Sequence, residues 1–158
     1  MKKLKIYLDT SVWNFIFAND SPEKQEITKT FFSDIHRYEI FISIIVIEEI
    51  LQAPNKKRIQ LEKLLSKYKP QILEMDDEIE RLAKQYIDKG IISTQNANDA
   101  LHIACSTFYE MDILLSWNYK HLANVFKKKK IMIANLEEGY DKPLDLITPM
   151  EVIQDEKE

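Results

Sequence analysis

Short apolar runs, each followed by a carboxylate or an amide, constrain this chain more than any other feature. Residues 4–8, 41–47 and 113–117 form such runs, and the polar residues that follow them or open the next helical segment are Asp9, Glu48, Glu49, Asp99 and Asn118. Runs of this kind are typical of buried strands in a parallel sheet, whose carboxyl ends are where ligands bind. Because carboxylates gathered at one edge repel one another, the pattern predicts a divalent cation among them.

Strand and helix signals alternate along the whole chain. The predicted strands are 5–9, 40–43, 71–74, 113–116 and 131–134. Helices are predicted from Pro22, behind a capping Ser21, to about Tyr38, and over 56–68, 76–89 and 98–109, with a segment around Glu48 and a last short helix from Thr148. In the 56–68 helix, Ile59 and the leucines are expected to face inward. Alternation requires crossover connections, so the sequence predicts an α/β fold: a mainly parallel sheet of about five strands with helices on both faces.

Length and composition narrow the possible classes. With 158 residues, of which 45% are hydrophobic and 30% charged, the chain is expected to form one domain over 1–153 with a charged tail at 154–158. Two glycines argue against a glycine-rich phosphate loop, and the single Cys105 excludes an internal disulfide and a cysteine-based zinc site. No apolar run approaches the length of a membrane span and the first residues lead directly into a strand, so we expect a cytoplasmic protein.

Net charge does not indicate a nucleic-acid partner. The formal net charge is −4, although residues 56–58 and 127–130 are basic clusters. Such clusters either meet a phosphate backbone or form a solvated surface, and the sequence leaves both open.

Each polar residue of the pattern also has an ordinary structural explanation. Asp9 or Asp99 can cap or begin a helix, Asn118 can cap a helix containing His121 and Leu122, and a helical glutamate is usually exposed. Adjacent helical residues point about 100° apart, so only one of the two glutamates can face the edge of the sheet.

The three histidines do not have the spacing of a helical zinc site. The second of them, His102, is expected to be a partly buried helix residue with a local partner. A donor set made only of oxygen suits Mg²⁺ or Mn²⁺.

Four motifs in order resemble one known family. They are YLDTSV at 7–12, ISIIVIEEI at 42–50, NDALHIA at 98–104 and MDILLSWNYKHL at 111–122, followed by ITP at 147–149. Together they are similar to the PIN domain, the ribonuclease fold of VapC-like toxins, over nearly the whole chain. The resemblance implies the three-layer PIN-like fold, an Mg²⁺- or Mn²⁺-dependent endoribonuclease, an RNA substrate, a cognate antitoxin of a type II toxin–antitoxin pair, and a homodimer.

The resemblance also implies which residues act. Asp9, Glu49 and Asp99 match the family's principal acids and are expected to bind metal, with Glu49 preferred because it lies six residues after Ser43. Asn118 stands at a fourth catalytic position that is often aspartate, and it adds no charge there. Thr10 and Ser116 match small hydroxyl positions that are expected to support the site.

Two alternatives remain beside the nuclease. Phosphoryl transfer at an aspartyl nucleophile also begins with an aspartate after the first strand, but Leu8 and Ser11 stand where such proteins carry a second acid. The other alternative is a PIN fold with weak catalysis that acts as an RNA- or protein-binding module, with Asn118 as its sign.

Overall fold

A parallel sheet forms the centre of the molecule. The computed structural model describes residues 2–118 and 125–157, with side chains through residue 153. In these residues the strands are β1 (Lys5–Leu8), β2 (Glu39–Ser43), β3 (Gln71–Leu73), β4 (Ile113–Leu115) and β5 (Asp145–Ile147). They form one five-stranded sheet in the order β3-β2-β1-β4-β5, and every pairing among them is parallel. The predicted α/β fold with a parallel sheet is confirmed.

Helices connect these strands. They are α1 (Thr10–Asn14), α2 (Pro22–Ser33), α3 (Ile44–Leu51), α4 (Asn55–Tyr68), α5 (Asp77–Asp88), α6 (Ala97–Phe108), α7 (Val125–Glu137) and α8 (Pro149–Lys157). The segment predicted to follow Asn118, with His121 and Leu122, lies outside the described residues. Across the described helices, none combines the length and the apolar character needed to cross a bilayer.

The strand order reverses between β1 and β4. Crossovers between parallel strands are right-handed, so the connections β1–β2–β3 cover one face of the sheet and the connections β3–β4 and β4–β5 cover the other. The register pairs Leu8 with Leu115, and their carboxyl ends lie side by side at this point. A crevice opens where strand order reverses, which makes this end of β1 and β4 the expected position of a site.

The core lies on both faces of the central strands. The strand β1 contributes Ile6, Tyr7 and Leu8, none of them exposed to solvent. On one side of the molecule Trp13 packs against Phe32, with ring centroids 5.2 Å apart. Because β1 is buried and paired on both edges, residues at its carboxyl end are held by the best-packed part of the fold.

One strand was predicted in the wrong place. Residues 131–134 belong to α7, and the fifth strand is β5, which begins at Asp145. Within the run, Ile131 and Ala134 are buried whereas Met132 and Ile133 are about half exposed. Burial at every third residue is the pattern of a helix with one apolar face, and a four-residue apolar run does not distinguish it from a strand.

Three smaller expectations also differ from the structure. The helix α2 ends at Ser33, and a separate 3₁₀ turn covers Ile35–Arg37 before β2. The Ser21 side chain makes no capping hydrogen bond, so the start of α2 rests on Pro22 at its first turn. Ile59 of α4 is 47% exposed and does not face inward.

Candidate active site

Asp9 lies directly after β1, at the point where the strand order reverses. Its side chain is only 1% exposed. Its Oδ1 accepts a hydrogen bond from the backbone N–H of Ser11 at 3.0 Å, so Asp9 also caps α1. Each oxygen of a carboxylate has two lone pairs, so the Asp9 carboxylate can accept further contacts beside this capping bond.

Two serine hydroxyls hold the Asp9 carboxylate on both sides. Ser11 Oγ donates to Oδ1 and Ser116 Oγ donates to Oδ2, each at 2.5 Å. The same hydroxyls accept backbone N–H groups that follow β4, from Trp117 at 2.8 Å and from Asn118 at 2.9 Å. Asp9 is therefore fixed relative to both central strands before any ligand binds.

Glu49 reaches the same end of the sheet from α3. Its Oε1 accepts hydrogen bonds from Thr10 Oγ1 at 2.7 Å and shares one with His102 Nε2 at 2.9 Å. The neighbouring Glu48 is exposed. Of the two adjacent acids, Glu49 is thus the one that the structure brings to Thr10, the residue directly after Asp9.

His102 links Glu49 to the core. Its ring is buried, and its Nδ1 lies 2.6 Å from the hydroxyl of Tyr7, which lies 2.6 Å from Ser43 Oγ. When His102 is neutral with its proton on Nε2, Tyr7 donates to Nδ1; when His102 is protonated, Nδ1 donates to Tyr7 and Tyr7 donates to Ser43. Both protonation states therefore satisfy every hydrogen bond in this chain of contacts.

Burial and this network set the charges of the site. Burial raises the pKa of Asp9, and the nearby His102 and the serine hydroxyls only partly oppose that rise. Burial also raises the pKa of Glu49, but its hydrogen bonds, chiefly the one with His102, and the charge of His102 together outweigh burial, and the pKa falls below its usual value. Burial lowers the pKa of His102, but the bond with Glu49 and the nearby charges of Asp9, Glu49 and Asp99 together outweigh burial, so the pKa is raised. The Glu49–His102 pair thus favours its charged form, whereas burial disfavours the charged form of Asp9.

The other two predicted residues lie around this centre. Asp99 is in the first turn of α6, and its charge contributes to the raised pKa of His102 one turn further on. Asn118 is exposed and, together with Ser11, lines a cleft beside Asp9.

The donor chemistry fits a hard divalent cation. Within the described part of the chain, the groups that donate hydrogen bonds to Asp9 are neutral, and the nearby His102 offsets the burial of its charge only in part, so a cation would stabilise that charge further. In the same residues, however, no three side chains of the types His, Cys, Asp and Glu are grouped for metal binding. The described residues therefore place oxygen donors, including those of Asp9 and Glu49, at this end of the sheet and do not show a formed metal site.

Sequence reasoning missed the His102–Glu49 contact. We expected a local partner for His102, but its partner lies 53 residues away. Two spacings carried a signal: His102 follows Asp99 by three residues and so shares a helix face with it, and Tyr7 precedes Asp9 by two residues and so shares a face of the strand.

Comparison with known proteins agrees with this geometry. A comparison with curated proteins finds no match. Among solved structures, a chain in the crystal structure of VapBC2 from Rickettsia felis bound to a DNA fragment from their promoter is similar, with a TM-score of 0.57 and 18% identity, covering 92% of this chain and 98% of that chain. At this identity the likeness concerns the fold. The family model of the PIN domain matches residues 6–125, which include all four predicted site residues. The chain therefore belongs to the PIN domain family.

Proposed function

We propose that this protein is a metal-dependent endoribonuclease that hydrolyses RNA phosphodiester bonds. PIN domains are generally nucleases and generally use divalent metals. The observation that supports the proposal best is the buried Asp9 carboxylate, which neutral donors hold at the point where the strand order reverses. The next residue, Thr10, donates a hydrogen bond to Glu49. Two oriented carboxylates at the carboxyl end of a parallel sheet suit Mg²⁺ or Mn²⁺.

Each residue has a role in this proposal that follows from its contacts. Asp9 and Glu49 bind the metal, and Asp99 adds a third acid from the first turn of α6. When bound, a divalent cation there would lower the pKa of water and offset charge on the phosphodiester. His102 keeps a proton on Nε2 and orients the Glu49 carboxylate, while Thr10 donates to the same oxygen.

The proposed partners follow from the family and its structural neighbour. The neighbour VapBC2 was solved bound to DNA from their promoter. By analogy, we propose that this chain is the toxin of a type II toxin–antitoxin pair in the cytoplasm, that a cognate antitoxin binds it, and that it forms a homodimer. Co-expression with the product of the adjacent gene, followed by co-purification and light scattering, tests both partners.

A second candidate is a catalytically weak PIN fold that binds RNA or protein. It is favoured by Asn118 in place of a fourth acid and by the lack of a formed metal cluster in the described residues. A cleavage assay separates the two candidates. The purified chain should cut single-stranded RNA with Mg²⁺ or Mn²⁺ and lose that activity in EDTA and in Asp9→Asn; metal-independent cleavage, or none at millimolar metal, would reject the nuclease proposal.

A further inference from the structure

A cleft leads away from Asp9 across the surface between α1 and α4. Close to the centre it is lined by Ser11, whose hydroxyl binds Asp9, and by Asn118. This part has a volume of about 350 Å³. A second cavity of about 560 Å³ lies further out. The two share Phe17 and Lys57 in their walls, so they adjoin, and together they are called the groove below.

The charge of this groove is opposite to that of the whole chain. Its walls carry Lys29, Lys56 and Lys57, with Asp20 as the acid among the residues that line the two cavities. The formal net charge of the chain is −4. All three lysines are exposed. A local excess of cations beside an acidic centre is what a polyanion needs in order to approach that centre.

The remaining wall is aromatic and amide-bearing. Phe17 is half-buried at the junction of the two cavities, and Gln60, Asn19 and Gln25 line the outer one. Lysines that follow a backbone, with an aromatic ring on which a base can stack, are the features by which proteins bind single strands. Amide side chains supply donors and acceptors for base edges.

Phe15 lines the inner cavity together with Asn118, and other side chains already pack against its ring. The Phe15 ring lies 5.6 Å from that of Trp117, and Lys24 Nζ stands 5.6 Å from the centroid of Phe15. Phe15 is therefore held in place by its neighbours, which leaves Phe17 as the ring at which the groove widens. A strand entering from the outer cavity would pass Phe17 before it reaches Asn118.

Resting on the proposed function, we infer that this groove binds the single-stranded RNA segment that flanks the scissile phosphate. Lys57 binds a backbone phosphate at the junction of the two cavities, and Phe17 stacks on a base there. The basic cluster 56–58 is thus assigned to substrate binding through Lys56 and Lys57, whereas the cluster 127–130 lies on α7, outside both cavities.

The test measures RNA binding without cleavage. The probe is a short fluorescein-labelled single-stranded RNA of mixed sequence, titrated by anisotropy in EDTA at several salt concentrations. Lys57→Ala should weaken binding and lower the magnitude of the salt slope by about 0.7, the value for one phosphate contact with a single strand. Phe17→Leu keeps an apolar side chain and should weaken binding on the order of tenfold through lost stacking.

Lys63→Ala is the matched control. Lys63 is exposed on the same helix α4, outside both cavities, and the substitution removes the same charge. It should bind RNA as the wild type does. An equal loss from Lys63→Ala and Lys57→Ala, or no loss from Lys57→Ala, overturns the groove. Equal competition by an RNA duplex of the same sequence overturns the assignment to a single strand.

Cleavage, measured separately with Mn²⁺, distinguishes this inference from the nuclease proposal. If the wild type cleaves RNA and Lys57→Ala cleaves it with an unchanged KM, the assignment of the groove to RNA binding is wrong, whereas the nuclease proposal is supported. If Lys57-dependent binding is found without cleavage, the groove stands and the nuclease proposal falls.

Discussion

Glu49 and His102, 53 residues apart in the sequence, are joined by a hydrogen bond of 2.9 Å between Oε1 and Nε2. The bond connects α3 to α6 across the end of the sheet and fixes one acid of the candidate site. The bond contributes to both the raised pKa of His102 and the lowered pKa of Glu49, against the effect of burial on each group. Four predictions depend on this end of the sheet.

Two substitutions of Asp9 distinguish its role as a helix cap from the effect of its charge. Asp9→Asn keeps an oxygen that accepts from Ser11 N and removes a carboxylate whose pKa burial raises, so the apo protein should be as stable as the wild type or more stable at pH 7. Asp9→Ala removes the cap as well and should cost about 1 kcal/mol. Thermal unfolding in EDTA measures both variants. A loss of stability in Asp9→Asn as large as in Asp9→Ala would show that the carboxylate charge itself stabilises the fold, which would contradict this prediction.

The adjacent glutamates should differ in activity. Glu49→Gln should reduce kcat/KM for RNA by two orders of magnitude or more, since it removes a proposed metal-binding charge and leaves only a neutral amide oxygen to accept from Thr10 and His102. Glu48→Gln is the matched control, because Glu48 is exposed and should leave kcat/KM unchanged. Equal losses from the two variants, or the reverse order, would contradict the assignment.

The Glu49–His102 pair should make stability depend on pH. Because the folded pKa of Glu49 is lowered, its contribution is present above its ordinary value of 4.5 and is lost as the pH falls through the folded pKa. Because the folded pKa of His102 is raised, its contribution is fully present below 6.5 and is lost as the pH rises through the folded pKa. Together the two shifts favour the charged pair between about 4.5 and 6.5.

Urea unfolding of the wild type and of His102→Asn across this range measures the effect. The difference in the free energy of unfolding should be largest near pH 6 and should decrease toward pH 8.5. A difference that stays constant with pH would show that the two side chains do not form an ion pair.

Asn118 lies on the exposed side of the site, where it is neutral and an aspartate would add a negative charge. Asn118→Asp should increase the affinity for Mn²⁺ in the absence of RNA, since it adds a carboxylate beside Ser116 and Asp9; each tenfold gain corresponds to about 1.4 kcal/mol. Isothermal titration calorimetry measures affinity and stoichiometry. Asn55→Asp, which adds the same charge at the start of α4, should leave the affinity unchanged. Identical binding by wild type and Asn118→Asp would place residue 118 beyond reach of the metal.

The central architecture was predictable because its signals are local. The apolar runs of β1, β2 and β4, and the amphipathic α5 and α6, have the lengths and periods of buried strands and one-sided helices. The strand β5 was not predictable in this way. It has only three residues, begins with the exposed Asp145, and competes with the more apolar run 131–134 of α7.

The sequence predicts the acids of the candidate site, whose metal binding stays a prediction, and the supporting hydroxyls of Thr10 and Ser116, which contact Glu49 and Asp9 in the structure. It does not predict two further supporting contacts. Asp9, Asp99 and Asn118 stand at junctions that any parallel sheet brings to one end. The contact of Glu49 with His102 depends instead on how α3 crosses α6, and no spacing in the sequence encodes that crossing. The hydroxyl of Ser11 was likewise missed, because only the pairing of β1 with β4 brings it to the backbone that follows β4.

The edge strands of the sheet affect how copies of this chain can associate. Both outer strands, β3 and β5, are three residues long, with Pro70 directly before one and Pro143 two residues before the other. Another chain can form few backbone hydrogen bonds with such short edge strands, because proline, which lies close before each of them, has no backbone N–H to donate. Any assembly of this protein is therefore expected to use the side chains of its helices. The sheet is not expected to be extended by strands of a second copy.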